Sequence, residues 1–180
     1  GVAVTVSGTT NVDQAETIAN ATSGTVQFGN GITDAVAKFS STNGTLTAKF
    51  KTATADDTDV NVVVTGVAKV AQAAAIVDHT AEGTSGTADF SNAGLSDAVA
   101  KFAATDGTLT TNFKAATAHD ANINVVVTGT AKVAQAAAIV NDGAEGTSGT
   151  ADFSNAGITD AVAAFAAEDG TLTTNFKAAT

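Results

Sequence analysis

The chain has 180 residues, 44% of them hydrophobic, with a formal net charge of -10 and a pI near 4.2. That is enough apolar material for a packed core, and it excludes a disordered polar tract. The eight Lys are placed singly and there is no Arg, which excludes the clustered cations that nucleic acid or an anionic membrane surface requires.

Cys is absent, so neither a disulfide framework nor a thiolate metal site is open to this chain. No apolar run approaches the roughly 18 residues of a membrane span, and no membrane insertion is expected. The chain starts at Gly1 without Met, which reads as a processed or excised piece whose targeting signal is not visible.

The sequence repeats itself. Residues 62–117 and 125–180 differ at only eight positions, and a more diverged copy opens the chain. There "VTVSG" (4–8) matches "VVVTG", "GITDAVAKF" (31–39) matches "GLSDAVAKF" (94–102), and "NGTLTAKFKTAT" (43–54) matches "DGTLTTNFKAAT" (106–117). The nine Phe fall three to a copy. The copies are taken as 1–58, 59–121 and 122–180.

Copy 2 serves as the type. "NVVVTG" is apolar on both sides of the pleat and reads as a strand buried on both faces. "AKVAQAAAIV" reads as a helix, with Thr65 as its N-cap. It is small or apolar nearly all round, so it should be covered on more than one side. "GTSGTADF" reads as Gly-rich turn chemistry leading into a short strand whose Ala88 and Phe90 share a face. "LSDAVAKFAATD" places Leu95, Ala98, Val99, Phe102 and Ala103 at helical spacing, stopped by Asp106-Gly107. "TLTTNFKAA" alternates Leu109, Thr111, Phe113 and Ala115 with polar residues and reads as a half-buried strand.

The predicted fold is therefore α/β: three tandem strand-helix-strand-helix-strand repeats of about 63 residues. About six residues separate one copy's last strand from the next copy's first, too few for a parallel crossover. A mixed sheet covered by short Ala-rich helices is expected. A lone module of this size buries only about 60% of its unfolded surface, so the copies are expected to stack as a solenoid-like array, each covering its neighbour.

Candidate chemistry is sparse. His79 and His119 are the only His, and Asp142 and Asp56 stand at the equivalent positions of neighbouring copies, so exposed loop His is the better reading. "GTSGT" (83–87, 146–150) resembles an anion loop, but no Lys follows and it leads into a strand. Asp34, Asp97 and Asp160 recur in all copies and read as first-turn helix residues complementing the macrodipole. Asp56, Asp57 and Asp59 form the one candidate metal site, a carboxylate cluster that could offer oxygens to Ca²⁺. No catalytic residues are assigned, and the protein is not expected to be an enzyme. No cofactor is expected apart from that possible Ca²⁺.

The phrase "VVVTGTAKVAQAAAIV", followed by a Gly/Thr-rich link and an Asp-bearing "ITDAVAAF", resembles repeats of very large secreted bacterial surface proteins. These include RTX-type adhesins and some surface-layer and cyanobacterial cell-surface proteins. The resemblance implies an extracellular stalk or lattice, exported without Cys, often with calcium bound elsewhere in the chain; the nonapeptide calcium repeat is absent here. The expected function is a structural component of a surface assembly (filament, surface layer or adhesin stalk). Its partners are neighbouring repeats or further subunits joined head to tail through edge strands at 2–7 and 172–178. The alternative is a binding module whose repeated loops face glycan or protein, although Trp and Tyr are absent.

Overall fold

The computed structural model describes every residue except Ala93, Asp142, Ala144 and Ala156, and every remaining side chain except that of His79. Copy 1 contains β1 (Val4–Val6), α1 (Val12–Asn20), β2 (Val26–Phe28), β3 (Ile32–Ala35), the one-turn α2 (Val36–Phe39) and α3 (Ala48–Asp56). Copy 2 follows with β4 (Val62–Thr65), α4 (Val70–Val77), a 3-10 turn at His79–Ala81, β5 (Ala88–Asp89), β6 (Leu95–Ala98), α5 (Val99–Phe102) and α6 (Thr111–His119). Copy 3 has β7 (Val125–Thr128), α7 (Val133–Ile139), β8 (Ala151–Asp152), α8 (Val162–Phe165) and α9 (Thr174–Ala179).

The architecture is mixed α/β. Its sheets are small and parallel, in the orders β1-β2, β3-β4-β5 and β6-β7-β8. The expectation of a mixed sheet is thus corrected. Antiparallel contact is reduced to isolated bridges, such as Ser40 with Leu46 and Ala103 with Leu109. The reason lies in the last piece of each copy, which is a helix. The short junction leads from helix to strand, so no antiparallel return is needed.

Two element assignments change for the same reason. In "TNFKAATAH", Phe113, Ala116 and Thr117 stand at i, i+3 and i+4 and are the buried residues of α6. The segment satisfies both periods, and the cap decides between them. Thr110 is extended, and its Oγ1 accepts from Phe113 N at 3.3 Å, the N-cap arrangement that starts a helix. Conversely, Leu95 to Ala98 satisfies a helical period but lies in a strand, and only Val99–Phe102 turns as a helix. The candidate edge strand at 172–178 is likewise mostly α9. β1 is an edge strand, paired on one side with β2.

The central features of the type copy hold. Val62 and Val64 of β4 are buried, with Val63 half-buried between them. α4 buries Val70, Gln72, Ala73, Ala74, Ile76 and Val77, and α6 packs along it. Its N-cap is Lys69 rather than Thr65. Ala88 and Phe90 are both buried. One cluster of buried residues runs from Val12 and Phe28 through Val62, Phe90 and Phe113 to Val125 and Ile139, so all three sequence copies contribute to it.

Candidate functional site: contacts across the copy boundaries

Two of the strand pairings run from one copy to the next. β3 closes copy 1 against β4 of copy 2, with Ile32 opposite Val62 and Asp34 opposite Val64. β6 meets β7 in the same way, with Leu95 opposite Val125 and Asp97 opposite Val127. Ile32 N donates to Asn61 O at 2.9 Å, and Leu95 N to Asn124 O at 2.8 Å. These amides are buried, so each bond also avoids an unsatisfied donor costing about 1–3 kcal/mol.

Side chains reinforce the backbone at each boundary. Gln72 is the one polar residue on the buried side of α4, and its Nε2 donates to Ser40 O of the preceding copy at 2.8 Å. Its Oε1 accepts from Lys69 N at 3.0 Å. Gln135 repeats both contacts, with Ala103 O at 2.8 Å and Lys132 N at 2.9 Å. Thr54 Oγ1 donates across the boundary to Glu82 O at 2.7 Å, and Thr117 Oγ1 to Glu145 O at 2.7 Å. Ion pairs Lys51–Glu82 and Lys114–Glu145, each at 2.7 Å, lie outside these bonds. At Gly44 the turn lies so close to α4 that a Cβ would stand 2.7 Å from Ala71 O.

The recurring aspartates act at a helix N-terminus, but not the one expected. Asp34, Asp97 and Asp160 lie in or beside strand backbone. Their Oδ2 atoms accept from Val12 N, Val70 N and Val133 N at 3.1, 3.2 and 3.2 Å. Those are the first residues of α1, α4 and α7. Each carboxylate thus meets the amide pole of the long helix in its own copy, where negative charge is stabilised. For Asp160 the backbone amides of Ala161 and Val133, together with the nearby Lys132 charge, lower the pKa.

The three candidate metal ligands differ in their surroundings. Asp57 is buried and its Oδ2 accepts from Phe28 N at 2.6 Å; Asp120 does the same for Phe90 N at 2.8 Å. Burial pushes the Asp57 carboxyl up, the Phe28 amide opposes this, and the neighbouring Asp59 adds to the rise. Asp56 ends α3 and Asp59 is exposed. Among the described residues no group of three or more His, Asp or Glu is arranged to hold an ion.

The remaining candidates resolve into local structure. Consecutive amides of the 83–87 loop are all engaged. Gly83 N donates to Asp78 O, Thr84 N to Ile76 O, Ser85 N to Thr58 O, Gly86 N to Thr84 Oγ1 and Thr87 N to Asn61 Oδ1. That loop therefore has no ring of unpaired amides for an anion. His119 Nδ1 lies 3.1 Å from Gly86 O, so it carries the proton and donates. The His79 side chain and Asp142 lie outside the described residues. A groove of about 660 Å³ between the 43–46 turn, α4 and α6 is lined largely by Ala71, Ala74, Ala75, Ala115 and Ala118, with Lys51 and His119 also on it.

Sequence reasoning missed Gln72, Thr54 and the role of Asp57. The available signal was a single Gln inside "AKVAQAAAIV", present in every copy as Gln14, Gln72 and Gln135. Comparison with protein-family models, with curated proteins and with solved structures finds no match. No helix of the described residues is long and apolar enough to cross a membrane.

Proposed function

We propose that this protein is a structural component of an extracellular surface assembly, such as a filament, surface layer or adhesin stalk, in which the sequence copies stack as a solenoid-like array. The observation that carries the reading is the pairing of β3 with β4 and of β6 with β7 across the copy boundaries. In such an array each copy supplies part of the sheet and core of the next, and stability is a sum over copies and their interfaces. The acidic surface keeps the array soluble, and the repeats themselves are the material of the assembly rather than a scaffold for a catalytic centre. The extracellular location rests on the resemblance to secreted surface repeats together with the absence of Cys.

The test has two parts. Residues 59–121 expressed alone should lack the cooperative melt of the full chain; a melt matching it would overturn stacking. Negative-stain microscopy of chains carrying one, two and three added copies of residues 118–180 should show particles that lengthen with copy number. Particles whose length does not grow with each added copy would count against the assembly reading.

A further inference from the structure

The two ends of the chain present unlike surfaces. In copies 1 and 2 the face formed by the third strand, the short helix and the following turn is covered by the next copy. Ile32, Phe39, Phe50, Leu95, Phe102 and Phe113 are all buried, and Leu46 and Leu109 are each 7% exposed. Copy 3 carries the same residue types in the same places, uncovered. Leu172 is 45% exposed and Val162 80% exposed. Ile158, Phe165 and Phe176 are half-buried. Gly170 has φ +80°, matching +85° at Gly44 and +88° at Gly107, and nothing lies within 4 Å of its Cβ position.

We propose that this face binds a further module of the copy 2 and copy 3 pattern. Its Val strand would lie parallel beside Ile158, and its Ala-rich helix over Gly170 and Leu172. The inference rests on the stacking reading above and adds to it a direction and a named partner chemistry. Two boundaries in the same molecule define what fits. At each, a strand carbonyl (Asn61 O or Asn124 O) takes the Ile32 or Leu95 amide, and a helical Gln (Gln72 or Gln135) bonds Ser40 O or Ala103 O. The turn glycine at each lies against an alanine, Ala71 or Ala134. Ile158, Ala166 and Gly170 are the counterparts awaiting those groups.

The copy 1 end of another such chain is a poorer occupant. Where α4 offers Ala71, Ala74 and Ala75, α1 carries Asp13, Glu16 and Thr17. Asp13 is held by Lys38 and Lys49 at 2.8 Å, and Glu16 by Lys49 at 3.3 Å. Docking there would set a carboxylate under a turn that elsewhere meets a methyl group. Gln14 makes the same Oε1 bond to the N-cap amide as Gln72 and Gln135, so the ends differ in the carboxylates of α1 and not in this Gln. A polar outer helix of this kind is what a terminal capping repeat presents. Addition at the two ends is therefore unequal, and the copy 3 face is the better acceptor of a further module.

The experiment compares amide exchange in the 180-residue chain with that in a chain carrying a second copy of residues 118–180 joined after Thr180. The Ile158 amide should exchange freely in the first and slow by about tenfold or more in the second, reaching the protection of Ile32 and Leu95. If Ile32 and Leu95 are protected but Ile158 is unchanged by the extension, the inference fails and stacking stands. An added copy that stays unfolded also counts against the inference. If Ile32 and Leu95 exchange as freely as Ile158 in the starting chain, the stacking reading itself fails. If Ile158 is already protected in the 180-residue chain, and more so at higher concentration, a second chain is the occupant and the proposal is overturned.

Discussion

Replacing Phe113 by Ala, and separately Phe176 by Ala, makes the same chemical change at equivalent places in copies 2 and 3. Both rings sit edge-on to a partner Phe, with centroids 5.1 Å apart for Phe102–Phe113 and 5.0 Å for Phe165–Phe176. The aromatic pairing therefore nearly cancels in the comparison. What differs is cover: Phe113 is 0% exposed, whereas Phe176 is only partly buried. A wholly buried Phe truncated to Ala costs about 3–5 kcal/mol, from lost transfer energy plus the cavity left behind. Phe176 is still mostly buried but opens onto solvent, so truncation loses most of the transfer energy without leaving a closed cavity, and about 1.5–2.5 kcal/mol is expected. The gap of about 2 kcal/mol measures what coverage by a following copy contributes. Urea denaturation followed by circular dichroism reads both costs, provided the slope m is unchanged between variants. Costs equal to within about 0.5 kcal/mol would refute the claim that neighbouring copies complete each other's cores.

Three further outcomes are expected. Gln72→Ala strands Ser40 O and Lys69 N at a buried boundary and should cost about 1–3 kcal/mol, while Gln14→Ala at the exposed equivalent should cost less than about 0.5 kcal/mol; thermal melts of the two variants check this. Gly44→Ala adds a Cβ 2.7 Å from Ala71 O to the penalty of about 1–2 kcal/mol for a left-handed backbone, so it should destabilise more than Gly170→Ala, which meets only the backbone penalty. Asp57→Asn keeps an acceptor for Phe28 N but removes a charge that burial and Asp59 disfavour. The folded pKa of Asp57 lies above its unfolded value near 3.8, so its ionisation weakens the fold at neutral pH, and that loss is recovered as pH falls through the folded pKa. The Asn variant should be the more stable at pH 7, with the difference closing in acid. A difference that does not change with pH would contradict this. Asp13 works in the opposite sense: Lys38 and Lys49 hold it down to about 2, so its contribution is fully present above its unfolded pKa near 3.8 and is lost as pH falls from there through the folded pKa.

Composition and repetition were enough to read the α/β class, the three copies, the Val strand, the Ala-rich helix and the turn before β5, because each depends on neighbours within a few residues. The same local reading failed at 95–98 and 111–119. Leu95 to Ala98 fits a helical stripe, but its backbone is claimed by β7, some thirty residues away. "TNFKAATAH" fits both periods, and Thr110 tips it to helix through a single cap bond. Asp97 shows the limit most plainly: its recurrence in every copy was legible, and so was its affinity for a helix N-terminus, yet which helix it meets depends on how β6 lies beside α4. Gln72 was visible as an oddity and became intelligible only once Ser40 O stood 2.8 Å away. Sequence determined which surfaces each copy owns. Tertiary structure decided which copy covers them, since strand register and the reach of a side chain across a boundary are properties of two segments together and are written in neither alone.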